Sequence, residues 1–388
     1  MCVKRSMMQK RAYIWSKVTR YFHWILVVCI AFTFASALFE NGLLLHIVFG
    51  SIAGGLLTFR LVWGFVGPTH AKFVNFNFSL SDLFYYLTNL FKDRKIYAGH
   101  NPAASWATVL LIIFGFFCTI SGVLLMGSEE DRGLFSFIPV SYHEIFFQIH
   151  VISKNIVGVV ALIHIVGAFL EHFWHKTKII NTMIDGYKNL DIPDIKTTFF
   201  QKAFGTFAII VSIFMGVFTL VSPNYSLMSK NTHEVFYHED NPAFAKQCSE
   251  CHNLYPPILL PKASWEVVLS DPTEHFRENL SEKVPDFESI KEYIFAHSAE
   301  SATNEISRKI LQSTDGQNIY RITRTGYWKE THAQIPRNAY KHPKIKTKSN
   351  CSACHENFGI SNYINDEDIT LKYFSFSEAL KIYLHLNK

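Results

Sequence analysis

The chain has 388 residues, long enough for two domains, with 49% hydrophobic and 18% charged residues and a formal net charge of +5. Residues 1–222 hold 18 Lys and Arg against 11 Asp and Glu, whereas residues 223–388 hold 19 against 21, so the basic excess belongs to the N-terminal half. No basic cluster interleaved with base-stacking aromatics occurs, which excludes a nucleic-acid footprint.

A bilayer span needs about 20 mostly apolar residues. Five runs meet this: about Tyr21–Phe39, Leu43–Val66, Ser105–Met126, Ile145–Leu170 and Ala203–Val221. The N-terminal tail (Lys4, Arg5, Lys10, Arg11, Lys17, Arg20), the second-to-third connection (Lys72, Lys92, Arg94, Lys95) and the fourth-to-fifth connection (Lys176, Lys178, Lys188, Lys196, Lys202) are basic. They fall on the same side, which the positive-inside rule makes cytoplasmic. The third-to-fourth loop sets Glu129, Glu130 and Asp131 against Arg132 alone, as expected outside. Five spans then place the remainder outside. The expected division is a four-helix membrane domain over 1–200, a fifth helix as tether over 201–223 and an extracytoplasmic domain over 224–388. Ala35-Ser36-Ala37 after a basic and apolar stretch also fits a cleaved signal peptide. That reading would discard His23, and the basic region before the apolar run is long for one.

Ionisable groups at membrane depth are costly and usually functional. His150 and His164 lie fourteen residues apart on the fourth span, about 21 Å along a helix and close to four full turns, so both face one side. His23 sits near the cytoplasmic end of span one and His46 near the outer end of span two. Depth pairs His23 with His164 and His46 with His150. Each pair can clamp one haem iron from both sides with neutral imidazoles. The alternative, histidines satisfied by interhelical hydrogen bonds, does not predict two matched depths. Arg60 follows His46 by fourteen residues, and Arg20 stands one turn before His23; either can pair with a haem propionate or snorkel to the interface. Lys154 offers the outer haem the same service.

Cys2, Cys29 and Cys118 are isolated, and the last two are expected to pack in apolar runs. The other four cysteines form Cys248-Ser249-Glu250-Cys251-His252 and Cys351-Ser352-Ala353-Cys354-His355, which read as covalent c-haem attachment sites. Two thiols spaced by two residues add to the haem vinyl groups, and the adjacent histidine reaches the iron. A shared zinc would use the four cysteines but leaves both following histidines unexplained. This domain reads as short helices at about Phe244–Cys251, Ser264–Leu269, Phe287–His297 and Ser377–Leu386, with residues 297–319 as a surface loop containing a short helix.

Residues about 10–190 resemble the bacterial cytochrome b561 / nickel-iron hydrogenase cytochrome b family. The matching stretches are RYFHW (20–24), HIVFGSIAGGLLTFRLVWGFVGP (46–68), GHNPA (99–103) and the His150/His164 pair. That resemblance implies two bis-histidine b haems on a four-helix bundle, ligated at His23, His46, His150 and His164, and electron exchange with a quinone pool. His100 in GHNPA is taken as structural. Residues about 240–360 resemble the small dihaem cytochrome c family through CSECHNLYPPILLPKASW (248–265), EHF (274–276), RITRTGYWKETH (321–332) and NCSACH (350–355). It implies bis-histidine ligation of both c haems, with His275 and His332 on the distal positions; His233, His238, His297 and His342 are also available.

The expected architecture is all-α, with two haem b and two haem c. Six-coordinate iron favours electron transfer over substrate chemistry. The expected route joins quinone or quinol in the inner membrane to a periplasmic cytochrome or redox enzyme, with membrane lipid as the surrounding partner. A quinol:cytochrome c-type oxidoreductase activity, a hydrogenase-type cytochrome b subunit, and a haem enzyme or sensor acting directly on a small molecule stay open.

Overall fold

In the computed structural model the described residues are 11–39, 42–92, 97–130, 133–222, 234–314, 316–364 and 369–386. Cys2, Lys4, Arg5, Lys10, Arg94, Lys95, Asp131, Arg132 and His233, singled out above, lie outside them. The chain divides into two compact units, one from 1–122 with 146–228 and the other from 123–145 with 229–388.

The first unit is built on long helices: α1 (Lys17–Ser36), α2 (Leu43–Val66), α4 (Pro102–Glu130, which runs on into the second unit), α5 (His143–Phe169, likewise shared) and α7 (Phe199–Val221). Shorter α3 (Leu80–Thr88) and α6 (Ile179–Asp185) lie in the connections. Among the described residues, five helices are long and apolar enough to cross a membrane. Their ends follow capping chemistry. The Ser16 hydroxyl accepts from the Thr19 N–H at the start of α1, and Thr198 with Gln201 makes a capping box at the start of α7. Ser and Thr hydroxyls inside the spans donate back to carbonyls four residues earlier, as Thr58 does to Gly54 and Thr119 to Gly115, so their polar atoms are satisfied without water.

Small residues let these helices approach. A methyl added to Gly54 would stand 2.5 Å from Thr119 Cγ2 of α4, and one added to Gly216 would stand 2.3 Å from Ile52 Cγ1. Gly55 faces Ser212 in the same way. The fifth span, expected as a tether, is therefore packed along α2 through a seam of Gly and Ser. The fully buried Trp63 ties α2 to α1 by donating its indole N–H to Thr19 Oγ1 at 3.1 Å. Large exposed apolar side chains such as Phe32, Phe65, Phe117 and Phe207 cover the outside of the spans, as a lipid-facing surface requires. A two-strand ribbon, β1 (Ala12–Tyr13) with β2 (Tyr187–Lys188), joins the chain before α1 to the chain after α6.

In the second unit, short helices surround two apolar cores. Tyr237, Phe244, Leu254, Leu260, Trp265, Leu269, Ile290 and Ile294 form the larger. Ile258, Leu259 and Ile310 form the smaller. Helices α8 (Tyr237–Asp240), α9 (Pro242–Gln247), α10 (Lys262–Val268), α11 (Leu280–Lys283) and α12 (Phe287–Ala296) precede α13 (Glu305–Thr314), α14 (Gly326–Thr331) and α15 (Phe376–Leu386). The stretch 297–319 does contain a helix, α13. It is part of the core rather than a surface loop: Ile310 is 1% exposed, and the Ser307 hydroxyl donates to the Ile258 carbonyl at 3.1 Å. The segment 123–145 belongs to this unit, with the Val140 N–H donating to the Ala302 carbonyl at 2.8 Å.

Candidate redox centres

The long helices bring four of the membrane histidines into two pairs. His23 of α1 faces His164 of α5 with ring centroids 6.5 Å apart, and His46 of α2 faces His150 of α5 at 6.1 Å. The second unit makes two more. His252 faces His275 at 6.3 Å, and His332 faces His355 at 6.2 Å. A metal–imidazole bond is about 2.0 Å and the ring centroid lies about 1.1 Å beyond the nitrogen, so two rings on opposite faces of one metal stand about 6.2 Å apart. All four pairs are open by the width of one metal. Within the second unit, the ring of His275 stands beside that of the first cysteine motif and the ring of His332 beside that of the second.

Most of these rings are oriented through Nδ1. His46 donates from it to the Thr33 carbonyl at 2.9 Å, His150 to Cys118 at 2.9 Å, His332 to Trp328 at 3.0 Å, His275 to Val268 at 3.3 Å and His252 to Asn253 at 2.7 Å. A proton held on Nδ1 leaves the Nε2 lone pair for a metal. Cys118, expected only to pack, thus fixes a ring through its backbone. Nothing in its own identity announces that. Gly122, on the next turn of α4, leaves the space the His150 ring occupies, since an added methyl would lie 3.2 Å from its Cε1. Outside the membrane, burial pushes His332 down to about 4, with nearby His355 adding to the effect, and burial lowers His275 likewise. Burial thus favours the neutral imidazole at both positions, the form a metal needs.

Local structure explains where His275 and His332 stand. His275 opens a tight turn closed by mutual backbone hydrogen bonds with Glu278 at 3.0 and 2.9 Å. Phe276 and Arg277 both carry positive φ, 50° and 79°, without being glycine, a conformation that costs free energy and is kept where surroundings enforce it. His332 ends α14, whose N-terminus is capped by Thr325, and its ring stacks on Trp328 at 4.5 Å and 11°.

The two cysteine motifs are bonded to each other. Ser352 donates to Asn253, Asn253 to Asn350, and the Tyr255 hydroxyl to the Ser349 carbonyl at 2.6 Å. Rings bridge the same gap: His252 to Tyr255 at 5.3 Å, Tyr255 to Phe358 at 5.8 Å and Phe358 to His355 at 6.5 Å. Cys248, Cys251, Cys351 and Cys354 form no disulfide. Among the described residues no three His, Cys, Asp or Glu converge as a metal-holding cluster, which is what a zinc shared by these cysteines would require.

The remaining candidates fall differently. Arg60 is 6% exposed, lies over Phe73 and Phe76 at 5.0 and 5.6 Å, and leaves its Nη1 without a partner. Arg20 donates to the Ile184 carbonyl. His100 packs between Trp15 and Phe76, and burial followed by the charge of Arg60 pushes it down to about 3. His297 bonds the Tyr293 carbonyl, His342 accepts from the Lys344 N–H, and His238 faces Glu239.

A membrane helix bundle joined to a helical unit with two Cys-x-x-Cys-His motifs defines a membrane electron-transfer cytochrome. Residues 14–186 match the family model for prokaryotic cytochrome b561, and residues 244–363 match that for dihaem cytochrome c. A probable Ni/Fe-hydrogenase B-type cytochrome subunit from Rhizobium leguminosarum bv. viciae is 24% identical over 219 residues, 47% of this chain and 91% of that protein. A probable Ni/Fe-hydrogenase 1 B-type cytochrome subunit from Escherichia coli (strain K12) is 24% identical over 215 residues, 46% and 90%. Among solved structures, a diheme cytochrome c from Rhodobacter sphaeroides is 29% identical over 30% of this chain and 91% of that one, with a TM-score of 0.27. The diheme cytochrome type c from Shewanella baltica OS155 is 24% identical over 35% and 95%, with a TM-score of 0.28. The family matches, not these TM-scores, carry the assignment. The chain is similar to the cytochrome b561 family over its membrane domain and to the dihaem cytochrome c family over its C-terminal domain, and it is a haem protein of electron transport.

Proposed function

We propose that the chain holds two haem b and two haem c and carries electrons across the bacterial inner membrane, between the quinone pool and a periplasmic cytochrome or redox enzyme. The observation that carries this reading is the repetition of one spacing, 6.1 to 6.5 Å, in four histidine pairs spread over both units. His23 with His164 and His46 with His150 would ligate the b haems. His252 with His275 and His355 with His332 would ligate the c haems, anchored through Cys248, Cys251, Cys351 and Cys354. Haem supplies one-electron ferric/ferrous chemistry. The protein's part is to hold each imidazole by its Nδ1 and present its Nε2, so that two histidines would hold each iron and leave little room for substrate.

The buried guanidinium of Arg60, with no carboxylate partner among the described residues, fits a propionate of the inner b haem. Arg20 retains a buried Nε that can add a second contact. The N-terminus is cytoplasmic and the C-terminal domain periplasmic in this reading, supported by the Lys/Arg bias of the connections. The names of the curated relatives favour a second reading, a subunit docked to a hydrogenase-type enzyme.

The test is to add a short-chain quinol to the purified full chain and follow the c-type α-band. The account expects c-haem reduction in the wild type and its loss in His164→Ala, with dithionite still reducing the c haems in both. Dithionite reduction without any quinol reduction in the wild type would overturn the quinone assignment.

A further inference from the structure

The second unit is near neutral as a whole but polarised along its sequence. Residues 262–300, which contain the distal histidine of the first motif, hold nine Asp and Glu against four Lys and Arg. Residues 321–348, which run through the distal histidine of the second motif to just before Cys351, hold eight Lys and Arg against one Glu. Lys329, Arg337, Lys341, Lys344, Lys346 and Lys348 are all exposed. None of the six pairs with a carboxylate among the described residues, whereas the acidic stretch neutralises its own cations, as in Lys283 with Glu278 and Lys291 with Glu288.

Packing holds these charges outward. Ile345 is 3% exposed, and the Asn350 amide donates to the carbonyls of Lys344 and Ile345, so the side chains on either side of Ile345 stay at the surface. In the same region Trp328 is half-buried and stacks on His332, and the Lys348 ammonium stands over both Trp328 and Tyr340 at 5.6 and 5.5 Å. A line of rings thus runs from the His355–His332 pair to Trp328 under a cationic cover.

Resting on the electron-transfer reading above, we infer that this basic face, with Trp328 within it, is the docking surface for an acidic soluble redox protein. Unpaired lysines around one redox centre would steer a negatively charged partner and give a short-lived encounter, which suits turnover. Such encounters bury little area, so long-range charge rather than apolar packing selects the partner. An anionic lipid surface would also attract lysines. Basic charge concentrated in the stretch that leads to the second motif, with acidic charge concentrated in the stretch after the first, favours the protein partner.

The experiment uses the full chain in nanodiscs of zwitterionic lipid. Stopped-flow electron transfer is measured with a basic mitochondrial cytochrome c and with the same protein succinylated on its lysines, two probes of one haem and opposite charge. The succinylated probe should react at least about tenfold faster at low salt, and its advantage should fall as ionic strength rises. Lys341→Glu/Lys344→Glu/Lys346→Glu should abolish or invert that preference while leaving all haem bands and dithionite reduction unchanged. Trp328→Ala should slow both probes several-fold.

A preference for the basic probe, or a triple variant with unchanged selectivity, overturns the docking surface. So does a triple variant whose only change is in sensitivity to anionic lipid added to the nanodiscs, which would assign the face to the membrane. Missing c-haem bands in the wild type would instead overturn the underlying reading, and the two failures are distinct.

Discussion

In the membrane unit both imidazoles of each pair come from long helices; in the second unit one comes from a cysteine motif and the other from a turn or a helix end. The spacing between rings is the same, but what holds it differs. In the bundle, α5 supplies a histidine to both sites, and helix packing with hydrogen bonds to helix carbonyls sets the spacing of the rings. In the second unit, covalent attachment would hold the cofactor whatever the distal ligand does. The same ligation geometry can therefore be kept by packing in one place and by chemistry in the other, and the two should fail in different ways.

The largest contrast is expected from removing one proposed ligand of each kind. His164→Ala should lose the inner b haem altogether and leave the c-type bands intact. His332→Ala should keep its c haem, bound through thioethers, and open the iron to carbon monoxide. Absorption spectra of the purified variants with and without carbon monoxide check both. Retention of the full b signal in His164→Ala would break the comparison on the membrane side.

Next comes packing. Gly216→Leu drives a large side chain against Ile52 of the helix that carries His46. Overpacking of this kind costs about 1–3 kcal/mol. Thermal loss of the b-type bands should move to lower temperature, and the c-type bands should not shift.

The smallest effect is electrostatic. Arg60→Met removes a buried positive charge from α2. The reduced haem carries one more negative charge than the oxidised, so its potential should fall. A change of about 1 kcal/mol is roughly 40 mV for one electron. Redox titration should find this in one b haem only; an equal shift in the c haems would contradict the separation of the two regions.

Much of the membrane half was legible because its physics is periodic. A separation of fourteen positions puts His150 and His164 on one face, and apolar length marks the spans, with α2 falling on Leu43–Val66 as expected. The close packing of α7 was less so. Its Gly205, Ser212 and Gly216 are ordinary residues of an apolar run, and only the facing Val18, Gly55 and Ile52 give them meaning. In the second unit the cysteine motifs announce themselves, but His275 and His332 follow no period. One sits on a turn held by positive φ at Phe276 and Arg277, the other at the end of a six-residue helix. Resemblance alone marked them, and their pairing emerged from the tertiary structure. The carbonyls of Thr33 and Cys118 that orient His46 and His150 are invisible to any residue-type argument, because every residue carries one.

The central claim is that four histidine pairs hold four haems. Iron per polypeptide, measured together with a pyridine haemochrome spectrum of the intact protein, tests it most directly. The account predicts four irons per chain, divided equally between b and c types. Two irons of a single type, or a b:c ratio far from one, would contradict it.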